Sequence, residues 1–528
     1  MTRFATVGVL LAAGVGSTLL ALLVDPWWWA AAGPLLALAA TALHDLVQRR
    51  HSVLRNYPVL GRLRFLMEKV RPELQQYFVE RNYDGRPYDR DTRSIVYERA
   101  KGVDAEEPFG SERDMQEHGY EFLVPSMAPV DVAKEPPRVR IGGPDCAAPY
   151  DMALLNVSAM SFGSLSANAV LALNTGAARG GFAHDTGEGG LSGYHLEPGG
   201  DLVWEIGTGY FGCRTPDGGF DEKQFAEKAA HPSVRCVSLK LSQGAKPGIG
   251  GVLPGAKVNA EIASVRGVPA GETVISPPYH RVFSTPRELV RFLARLRELT
   301  HGKPVGFKLC PGSRTQFLAV CKAMTAEGIT PDFIVVDGAE GGTGAAPLEF
   351  ADHLGMPLTD GLFTVHGALT GAGLRDRIRI GASGKVATGS DIVKRLAMGA
   401  DYTNAARAMM FAVGCIQAQR CHTNHCPTGV TTQDPRRARA LDVGDKAARV
   451  TRYQRATVDS ALQIMAAMGV STPAELGPRL LRRRETDGRF RSYAELYEWL
   501  SPGELLAAPP ESWAADWKAA DPDTFAVG

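Results

Sequence analysis

Apolar residues are distributed unevenly along this chain, and the densest run lies at its N-terminus. Residues 4–24 carry no charge, Asp25-Pro26 interrupts the run, and residues 27–43 form a second apolar stretch. A helix needs about 20 apolar residues to span a bilayer, so the first stretch is long enough and the second nearly so. Trp27–Trp29 lie at the turn, where interfacial aromatic residues are expected. The pattern predicts a transmembrane helical hairpin over residues 1–47, and it favours this over a cleaved signal peptide.

Basic residues flank both ends of the predicted hairpin. Arg3 precedes it, and Arg49, Arg50 and Arg55 follow it. Because cytoplasmic flanks carry an excess of Lys and Arg, both ends are predicted to face the cytoplasm. The rest of the chain would then be a cytoplasmic catalytic domain, held at the cell inner membrane by a multi-pass anchor.

From about residue 150, apolar runs of strand length alternate with segments of helical periodicity. The predicted strands are Ala153–Ala159, Val234–Leu241, Val305–Leu309, Phe333–Val336, Ile378–Gly381 and Tyr402–Ala405. The predicted helices are Ser166–Ala178, Pro286–Leu299, Thr315–Glu327 and Ser390–Met398. This alternation is typical of a parallel sheet. The length of the region predicts an α/β fold, a (β/α)8 TIM barrel over residues 150–430. A doubly wound sheet is the alternative, but no G-x-G-x-x-G follows the first strand.

The segments on either side of the barrel region have other patterns. Residues 48–149 are charged and partly helical, with helical spacing over Leu60–Val70, and they predict a connector and a helical cap. Residues 431–528 predict a helical C-terminal extension, with helical periodicity over Val450–Met468. The role of the extension is not readable from its sequence.

Composition excludes some function classes. The chain of 528 residues has 58 basic and 57 acidic residues, a formal net charge of +1. With no basic stripe and no interleaved aromatic residues, no nucleic-acid partner is expected. Five of the eight cysteines are scattered singly, as buried thiols usually are, and a disulfide framework is not expected.

The other three cysteines fall within a dozen positions of one another. They are Cys415, Cys421 and Cys426, and Pro427 follows the last of them. A Cys-Pro end is common where cysteines hold an iron–sulfur cluster, and three ligands suit a three-iron cluster. A zinc site with His422 or His425 as the fourth ligand is an alternative, and unligated thiols are another.

Polar and glycine-rich loops follow the predicted strands. In an α/β barrel, the active site lies where strands end and loops begin. Lys240 lies near the end of the predicted strand Val234–Leu241, and the loops contain Met160-Ser161, Gln243, Lys246, Gly341-Gly342, Ser383-Gly384 and Ala406-Arg407. Backbone N–H groups at Ser383 and Gly384 and the guanidinium fork of Arg407 suit a phosphate. The loops after the last two strands of a barrel often build such a site, and flavin mononucleotide (FMN) would fit it.

At this point the chain resembles a known family, the stand-alone FMN-binding proteins related to the synthase domain of glutamate synthase. The resemblance covers roughly residues 150–430. The motifs that carry it are Thr186-Gly-Glu188-Gly-Gly, Gln243-Gly-Ala-Lys246-Pro-Gly, Ile275-Ser-Pro-Pro, Gly341-Gly-Thr-Gly-Ala-Ala-Pro347 and the loop with Cys415, Cys421 and Cys426.

This resemblance implies an FMN barrel with a [3Fe–4S] cluster beside the flavin, held by the three cysteines of that loop. It implies that Lys240 lies against the flavin ring and that Glu188 acts on an imine nitrogen or ammonia. Ser161, Gln243, Lys246 and Arg266 match positions that hold 2-oxoglutarate or its imine. The implied FMN-binding residues are Met160, Ser161, Lys240, Gly341, Gly342, Ser383, Gly384, Ala406 and Arg407.

The implied reaction is the reduction of a 2-imino acid, formed from 2-oxoglutarate and ammonia, to an amino acid such as L-glutamate. Electrons would enter at the cluster from a separate donor, a ferredoxin or a reductase. Ammonia would be free or come from a separate amidotransferase subunit, because the chain begins with apolar segments where glutamate synthases have a glutaminase domain.

Three positions depart from the family pattern: Ile249 and Val252 replace polar residues, and Glu340 replaces Asp. An N-substituted glutamate synthase, acting on an amine and glutamate, is therefore a second reading. A membrane-docked electron-transfer subunit is a third.

Overall fold

The computed structural model describes residues 2–103 and 109–526, with Thr2 and Arg3 described through their backbone only. The side chain of Arg3, one of the basic flanks discussed above, therefore lies outside the described part. The chain divides into two compact units, Met1–Asp89 and Arg90–Gly528.

The first unit is helical: α1 (Thr2–Leu23), α2 (Trp29–Val47), α3 (Ser52–Asn56) and α4 (Leu60–Leu74). The Asp25 carboxylate accepts the N–H of Trp27 at 2.9 Å and so caps the short turn between α1 and α2. The two helices pack closely, since a Cβ at Gly14 would lie 2.9 Å from Leu36 Cδ2. Phe4–Leu23 and Pro26–Val47 are long and apolar enough to cross a membrane, by length and composition only. A signal sequence passes the same test, so the two helices are confirmed and their membrane insertion stays a prediction.

The second unit contains the remaining elements. Its strands are β1 (Glu121–Leu123), β2 (Val139–Ile141), β3 (Tyr150–Met152), β4 (Leu155–Val157), β5 (His184–Asp185), β6 (Leu202–Ile206), β7 (Val234–Lys240), β8 (Val252–Leu253), β9 (Val274–Ile275), β10 (Val305–Leu309), β11 (Phe333–Asp337), β12 (Arg379–Ser383), β13 (Tyr402–Ala405), β14 (Leu481–Arg484) and β15 (Phe490–Ser492). Its helices are α5 (Arg90–Lys101), α6 (Ala167–Gly180), α7 (Gly193–Leu196), α8 (Glu222–Ala229), α9 (Ala260–Arg266), α10 (Pro286–Leu299), α11 (Arg314–Glu327), α12 (Leu348–His353), α13 (Leu358–Gly371), α14 (Gly389–Ala397), α15 (Arg407–Val413), α16 (Pro435–Ala438), α17 (Val443–Ala467), α18 (Tyr493–Leu496), α19 (Glu504–Ala507) and α20 (Glu511–Ala519).

Eight parallel strands form a closed barrel, in the order β4, β5, β6, β7, β10, β11, β12, β13 and back to β4. The predicted barrel is confirmed and the doubly wound alternative is excluded, because β13 pairs with β4 and leaves no open edge. All six predicted strands are present, but β5 and β6 were not predicted. The short β5 contains only His184 and Asp185, and the apolar run of β6 is only three residues long before Glu205 interrupts it.

Helices and the C-terminal segment cover the outside of the barrel. The long helix α17 packs against α5, α6, α14 and α15. The C-terminal segment contains α17 to α20, and it also supplies β14 and β15, which form an antiparallel sheet with β1. Farther along, Asp516 of α20 accepts a hydrogen bond from Thr315 at 2.6 Å and pairs with Arg314. The extension is therefore part of the second unit's core, and Trp513 is buried within it.

Candidate active site

The residues predicted from sequence lie at one end of the barrel. Because all eight strands are parallel, their carboxyl ends share one mouth. Lys240 ends β7, and Ser383 ends β12. Glu188 follows β5, and Arg266 ends α9, within the excursion between β7 and β10. The fold thus gathers side chains that are far apart in sequence.

A buried carboxylate, Glu188, lies at the centre of this mouth. Its Oε1 is 2.7 Å from Lys240 Nζ, and both side chains are largely buried. Burial would raise the pKa of the Glu188 carboxyl, but the charges of Lys240, Arg266 and Lys246 outweigh it and hold the pKa below its ordinary value. Glu188 is therefore ionised near neutral pH and has three cationic neighbours.

Two glycines allow the backbone to approach Glu188. A Cβ at Gly207 would lie 2.6 Å from Glu188 Oε2, and a Cβ at Gly251 would collide with Oε1. Gly207 follows β6, and Gly251 lies in the loop after β7. The carboxylate is thus confined between two backbone segments, which fixes its position relative to Lys240.

The two other cations are held by the loop that follows β7 and by α9. Lys246 Nζ donates to the carbonyl of Gly250 at 2.9 Å, and burial lowers the pKa of Lys246 to about 8. Arg266 Nη2 donates to Ser161 Oγ and to the carbonyl of Phe162, each at 3.2 Å. Burial lowers the pKa of Arg266 to about 10, which leaves it charged at neutral pH.

Ser161, Lys246 and Arg266, three of the four predicted substrate-binding residues, are buried around Glu188. Gln243 begins the turn that leads to Lys246: the Lys246 N–H donates to its carbonyl at 3.2 Å. Met160 is buried beside Ser161, and a Cβ at Gly187 would lie 2.7 Å from the Ser161 nitrogen. Gly187 has a φ of 64°, so it both turns the backbone and lets it approach this loop.

A histidine that the sequence did not indicate positions the Lys240 backbone. His280 Nε2 lies 2.9 Å from the Lys240 carbonyl, and Nδ1 lies 3.1 Å from Tyr210 Oη. A carbonyl only accepts hydrogen bonds, so Nε2 is the protonated nitrogen. Burial lowers the pKa of His280 to about 4, so the ring is neutral and Nδ1 accepts from Tyr210.

A second buried ionic group lies inside the barrel, and sequence reasoning missed it. Lys308 of β10 is the register partner of Lys240 and forms an ion pair with Glu205 of β6. The charges of Glu205 and Asp185 overcome the effect of burial and raise the pKa of Lys308. Burial and the nearby Glu205 raise the pKa of Asp185 to about 8. The pairing of β7 with β10 thus sets two lysines side by side.

The predicted phosphate site is built from the loops after β11, β12 and β13. Ser383 Oγ lies 3.2 Å from Ser158 Oγ, and Gly384 follows with a φ of 150°. Arg407 begins α15 and donates from Nη2 to the Glu340 carbonyl at 2.6 Å. Its Nη1 would lie 2.9 Å from a Cβ at Gly342. Arg407 thus lies against the loop that contains Gly341 and Gly342. A side chain at Gly342 would collide with the guanidinium, and one at Gly341 would crowd the Gly338 carbonyl.

The cysteine loop lies beside that glycine loop. A Cβ at Gly344 would lie 3.5 Å from Cys421 Cβ. The charges of Cys421 and Cys426 influence the pKa of Cys415, which burial raises to about 12. The three thiols are neighbours, but the described residues include no group of three or more His, Cys, Asp or Glu side chains arranged to hold a metal ion.

Hydrogen bonds and a buried lysine support the loop. The Tyr97 hydroxyl donates to the Cys415 carbonyl at 2.8 Å. Lys257 is buried and donates to the Ser164 carbonyl at 3.0 Å. Burial lowers the pKa of Lys257 to about 8, while the charges of Cys421 and Cys426 act in the opposite direction. Lys257 is therefore a buried cation beside the cysteine loop, a placement that spacing in the sequence does not show.

Comparison with solved structures finds folds of limited similarity. A flavocytochrome b2 mutant with pyruvate bound is 15% identical with a TM-score of 0.40, covering 84% of this chain and 90% of that protein. A mandelate oxidase variant is 14% identical with a TM-score of 0.42, covering 71% and 88%.

Comparison with known sequences is more specific. The family model described as a conserved region in glutamate synthase matches residues 146–471. The glutamate synthase large subunit-like protein YerD of Bacillus subtilis (strain 168) is 37% identical over 495 residues, which cover 86% of this chain and 94% of that protein. The archaeal glutamate synthase [NADPH] of Methanocaldococcus jannaschii is 36% identical over 319 residues, 60% of this chain.

The extent of these matches differs between relatives. The chain covers only 59% of the archaeal enzyme and 20% of the glutamate synthase [NADPH] large chain of Bacillus subtilis, but nearly all of YerD. The family match covers the whole barrel and the cysteine loop. This chain belongs to the glutamate synthase family, among the oxidoreductases that act on the CH–NH2 group of donors.

Proposed function

We propose that this protein is a membrane-anchored iron–sulfur flavoenzyme that reduces a 2-imino acid, formed from 2-oxoglutarate and ammonia, to L-glutamate. The observation that carries the proposal is the charge balance around Glu188. Three buried cations, Lys240, Lys246 and Arg266, face this one carboxylate. An excess of two positive charges in a buried site suits a ligand with two carboxylates.

The residues of the pocket would divide the work of binding. Arg266 presents a planar guanidinium that can take one carboxylate through two parallel hydrogen bonds. Lys246 can take the other, and a bound anion would offset the cost of burying its ammonium. Glu188, ionised and fixed by its ion pair with Lys240, would accept N–H hydrogen bonds from ammonia or an imine nitrogen. The site thus orients both ends and the reacting nitrogen of one small substrate.

The residues after the last strands fit FMN. Arg407 and the backbone at Ser383 and Gly384 would hold its phosphate, with Gly341, Gly342 and Ala406 lining the approach. Met160, Ser161 and Lys240 would hold the ring, where an ammonium stabilises negative charge near N1 and O2. When bound, FMN supplies a hydride to the α-carbon of the imino acid. Lys308, the register partner of Lys240, adds a second cation at the same depth of the barrel.

The donor set of the cysteine loop suits a [3Fe–4S] cluster. Cys415, Cys421 and Cys426 would be its ligands, and it would supply single electrons. Zinc, with His422 or His425 as the fourth ligand, is the alternative for the same loop. Iron content and an EPR spectrum of anaerobically purified protein test this assignment, and zinc in place of iron would refute it.

The two N-terminal apolar helices support the membrane anchor. Flotation of the full chain with lipid vesicles after carbonate washing would support insertion. Recovery of the chain in the soluble fraction would refute the anchor and leave the enzymatic proposal untouched.

The test of activity is an anaerobic assay with 2-oxoglutarate, ammonium and a chemical reductant, on protein loaded with FMN and iron. We expect L-glutamate to form. Lys246→Met and Arg266→Met should each abolish 2-oxoglutarate binding, whereas Lys223→Met, at an exposed position on α8, should leave it unchanged. No glutamate from fully loaded protein would refute the proposal.

A second candidate, an N-substituted glutamate synthase acting on an amine and glutamate, is favoured by the apolar residues Ile249 and Val252. Both are half-buried and flank the Gly250–Gly251 backbone, which contacts Lys246 and Glu188. Mass spectrometry over an amine panel would detect its products. Oxo-acid binding that depends on Lys246 would exclude a subunit that only transfers electrons.

A further inference from the structure

Helix α4 carries an uncovered apolar stripe. Leucine, methionine and valine side chains recur at alternating intervals of three and four, which places them on one face of the helix. They are Leu60, Leu63, Met67, Val70 and Leu74, with exposed fractions of 69%, 57%, 47%, 37% and 42%. The stripe continues past the helix into the exposed Tyr77, Phe78 and Val79. Soluble surfaces rarely leave so long an apolar row uncovered, so the row indicates a binding face.

The opposite side of α4 is fixed within its own unit. A Cβ at Gly61 would lie 3.1 Å from Leu54 Cδ2, and the ring of Phe65 meets that of His51 edge-to-face at 5.1 Å. The face of α4 that packs on α3 is therefore different from the face that carries the exposed stripe. The stripe points away from the helix that α4 packs on.

A buried carboxylate ties α4 to the end of α2. Asp45, in the last turn of α2, accepts hydrogen bonds from Arg62 Nη2 at 2.6 Å and from the Val59 N–H at 3.0 Å. The side chain of Asp45 is fully buried in this contact. Wherever the end of α2 lies, the start of α4 lies with it. If the hairpin inserts as proposed, α4 begins at the level of the lipid headgroups.

The charges beside the stripe favour an anionic surface. Helix α4 carries four basic residues against two acidic ones. Arg64 and Arg71 line one edge of the stripe, and Lys69 lies beyond the other. Arg64 Nε also donates to Glu68 Oε1 at 2.9 Å, but both side chains are exposed. Long basic stems can reach headgroup phosphates while apolar side chains enter the lipid. A second copy of the helix would offer these basic side chains only two carboxylates, Glu68 and Glu73, instead of a row of anions.

We propose that α4 lies in the plane of the membrane surface, with its stripe in the acyl boundary and its basic residues on anionic phospholipid headgroups. This rests on the proposed membrane anchor. It adds a third element to the anchor: besides the two apolar helices, a surface helix whose basic residues bind anionic headgroups.

The test uses the full chain, with the photocrosslinker p-benzoyl-phenylalanine replacing Met67 in the stripe or, as the control, its exposed neighbour Glu68. The protein is mixed with nanodiscs or vesicles of equal parts phosphatidylcholine and phosphatidylglycerol, irradiated and analysed by mass spectrometry. We expect a phospholipid adduct several-fold more abundant at position 67 than at position 68. The adduct should decrease several-fold in pure phosphatidylcholine and in the Arg64→Gln/Lys69→Gln/Arg71→Gln variant.

Two outcomes would overturn the proposal. A crosslink at position 67 between two copies of the chain would assign the stripe to self-association, and equal lipid adducts at both positions would show no lipid-facing side. The result is separable from that for the hairpin: carbonate-resistant flotation reports on insertion, while the crosslink at position 67 reports on α4 whether or not the hairpin inserts.

Discussion

The ion pair between Lys240 and Glu188 is the most direct test of the pocket's electrostatics. Replacing Lys240 by Met keeps most of the volume of the side chain but removes its charge. Glu188 Oε1 then loses the cation at 2.7 Å, in a setting where only 8% of the Lys240 side chain and 16% of the Glu188 side chain are exposed. The carboxylate cannot turn to solvent, because backbone at Gly207 and Gly251 confines it.

The expected magnitude follows from this burial. Removing one partner of a buried ion pair costs about 3–5 kcal/mol, most of it from the charge left behind. Arg266 and Lys246 still act on Glu188, so we expect a loss near the lower end, about 3 kcal/mol in the free energy of unfolding. Adding Glu188→Gln should restore about 2 kcal/mol, because the double variant buries no unpaired carboxylate.

The pH dependence of the single variant has a definite sign. In the wild type, the lowered pKa of Glu188 stabilises the fold above the unfolded value of about 4.3, and this contribution is lost as pH falls through the folded-state pKa. In Lys240→Met the pKa rises, so the folded state takes up a proton more readily. The defect of this variant should therefore shrink as pH falls.

The assay is urea unfolding of the detergent-solubilised full chain, followed by tryptophan fluorescence, for the wild type, both single variants and the double variant. Trp204 of β6 is completely buried and reports on the barrel. Equal losses in Lys240→Met and in the double variant would refute the reasoning, since the defect would then come from packing and not from an unpaired charge.

Three further outcomes are expected. Gly207→Ala places a Cβ 2.6 Å from Glu188 Oε2 and should weaken 2-oxoglutarate binding at least about tenfold in calorimetry; Gly193→Ala, with open space around it, is the matched control and should bind normally. Dicarboxylate binding should raise the pKa of Lys246 from about 8, so that about half a proton is taken up per site near that pH. In calorimetry the binding heat should then depend on the buffer near pH 8 and no longer do so near pH 6. Equal heats in all buffers near pH 8 would contradict this. Because the pKa of Asp185 is raised to about 8, ionising this carboxyl lowers the stability of the fold progressively as pH rises from about 4 to 8. Urea midpoints should therefore fall between about pH 6 and 8 in the wild type, and Asp185→Asn should remove this decline. An unchanged decline in the variant would rule out Asp185 as its source.

The barrel could be predicted because its strands are short apolar runs at regular intervals, and the structure contains all six that the sequence showed. The two missed strands are explained by what they bury. The two-residue β5 contains only polar side chains, His184 and Asp185, both buried, and β6 carries Glu205 among its apolar residues, where it pairs with Lys308. A pattern of apolar residues cannot identify a buried strand that is only two polar residues long, and it easily misses a short strand interrupted by a buried, paired carboxylate.

The same limit applies to the site. Glu188 and Lys246 belong to motifs, and Lys240 lies near the end of a predicted strand, so all three were predictable as candidates. Lys308 became visible only through the register of β7 with β10. Likewise Lys257 lies beside the cysteine loop through packing, since Asn424 of that loop donates to the neighbouring Ala256 carbonyl at 3.1 Å. Contacts between distant segments decide these two placements, and no local spacing encodes them.

Closure of the barrel through β4 and β13 has a consequence for how the protein is made. The Thr403 hydroxyl donates to the Leu154 carbonyl, across 249 positions of sequence, and the two strands pair beside it. Until the ribosome has released β13, the strand edge of β4 has no partner, and parallel pairing over such distances is slow. The nascent chain must therefore carry an open sheet with an exposed edge while the ribosome extends it from β4 to β13, an interval in which chaperones that shield strand edges would matter most.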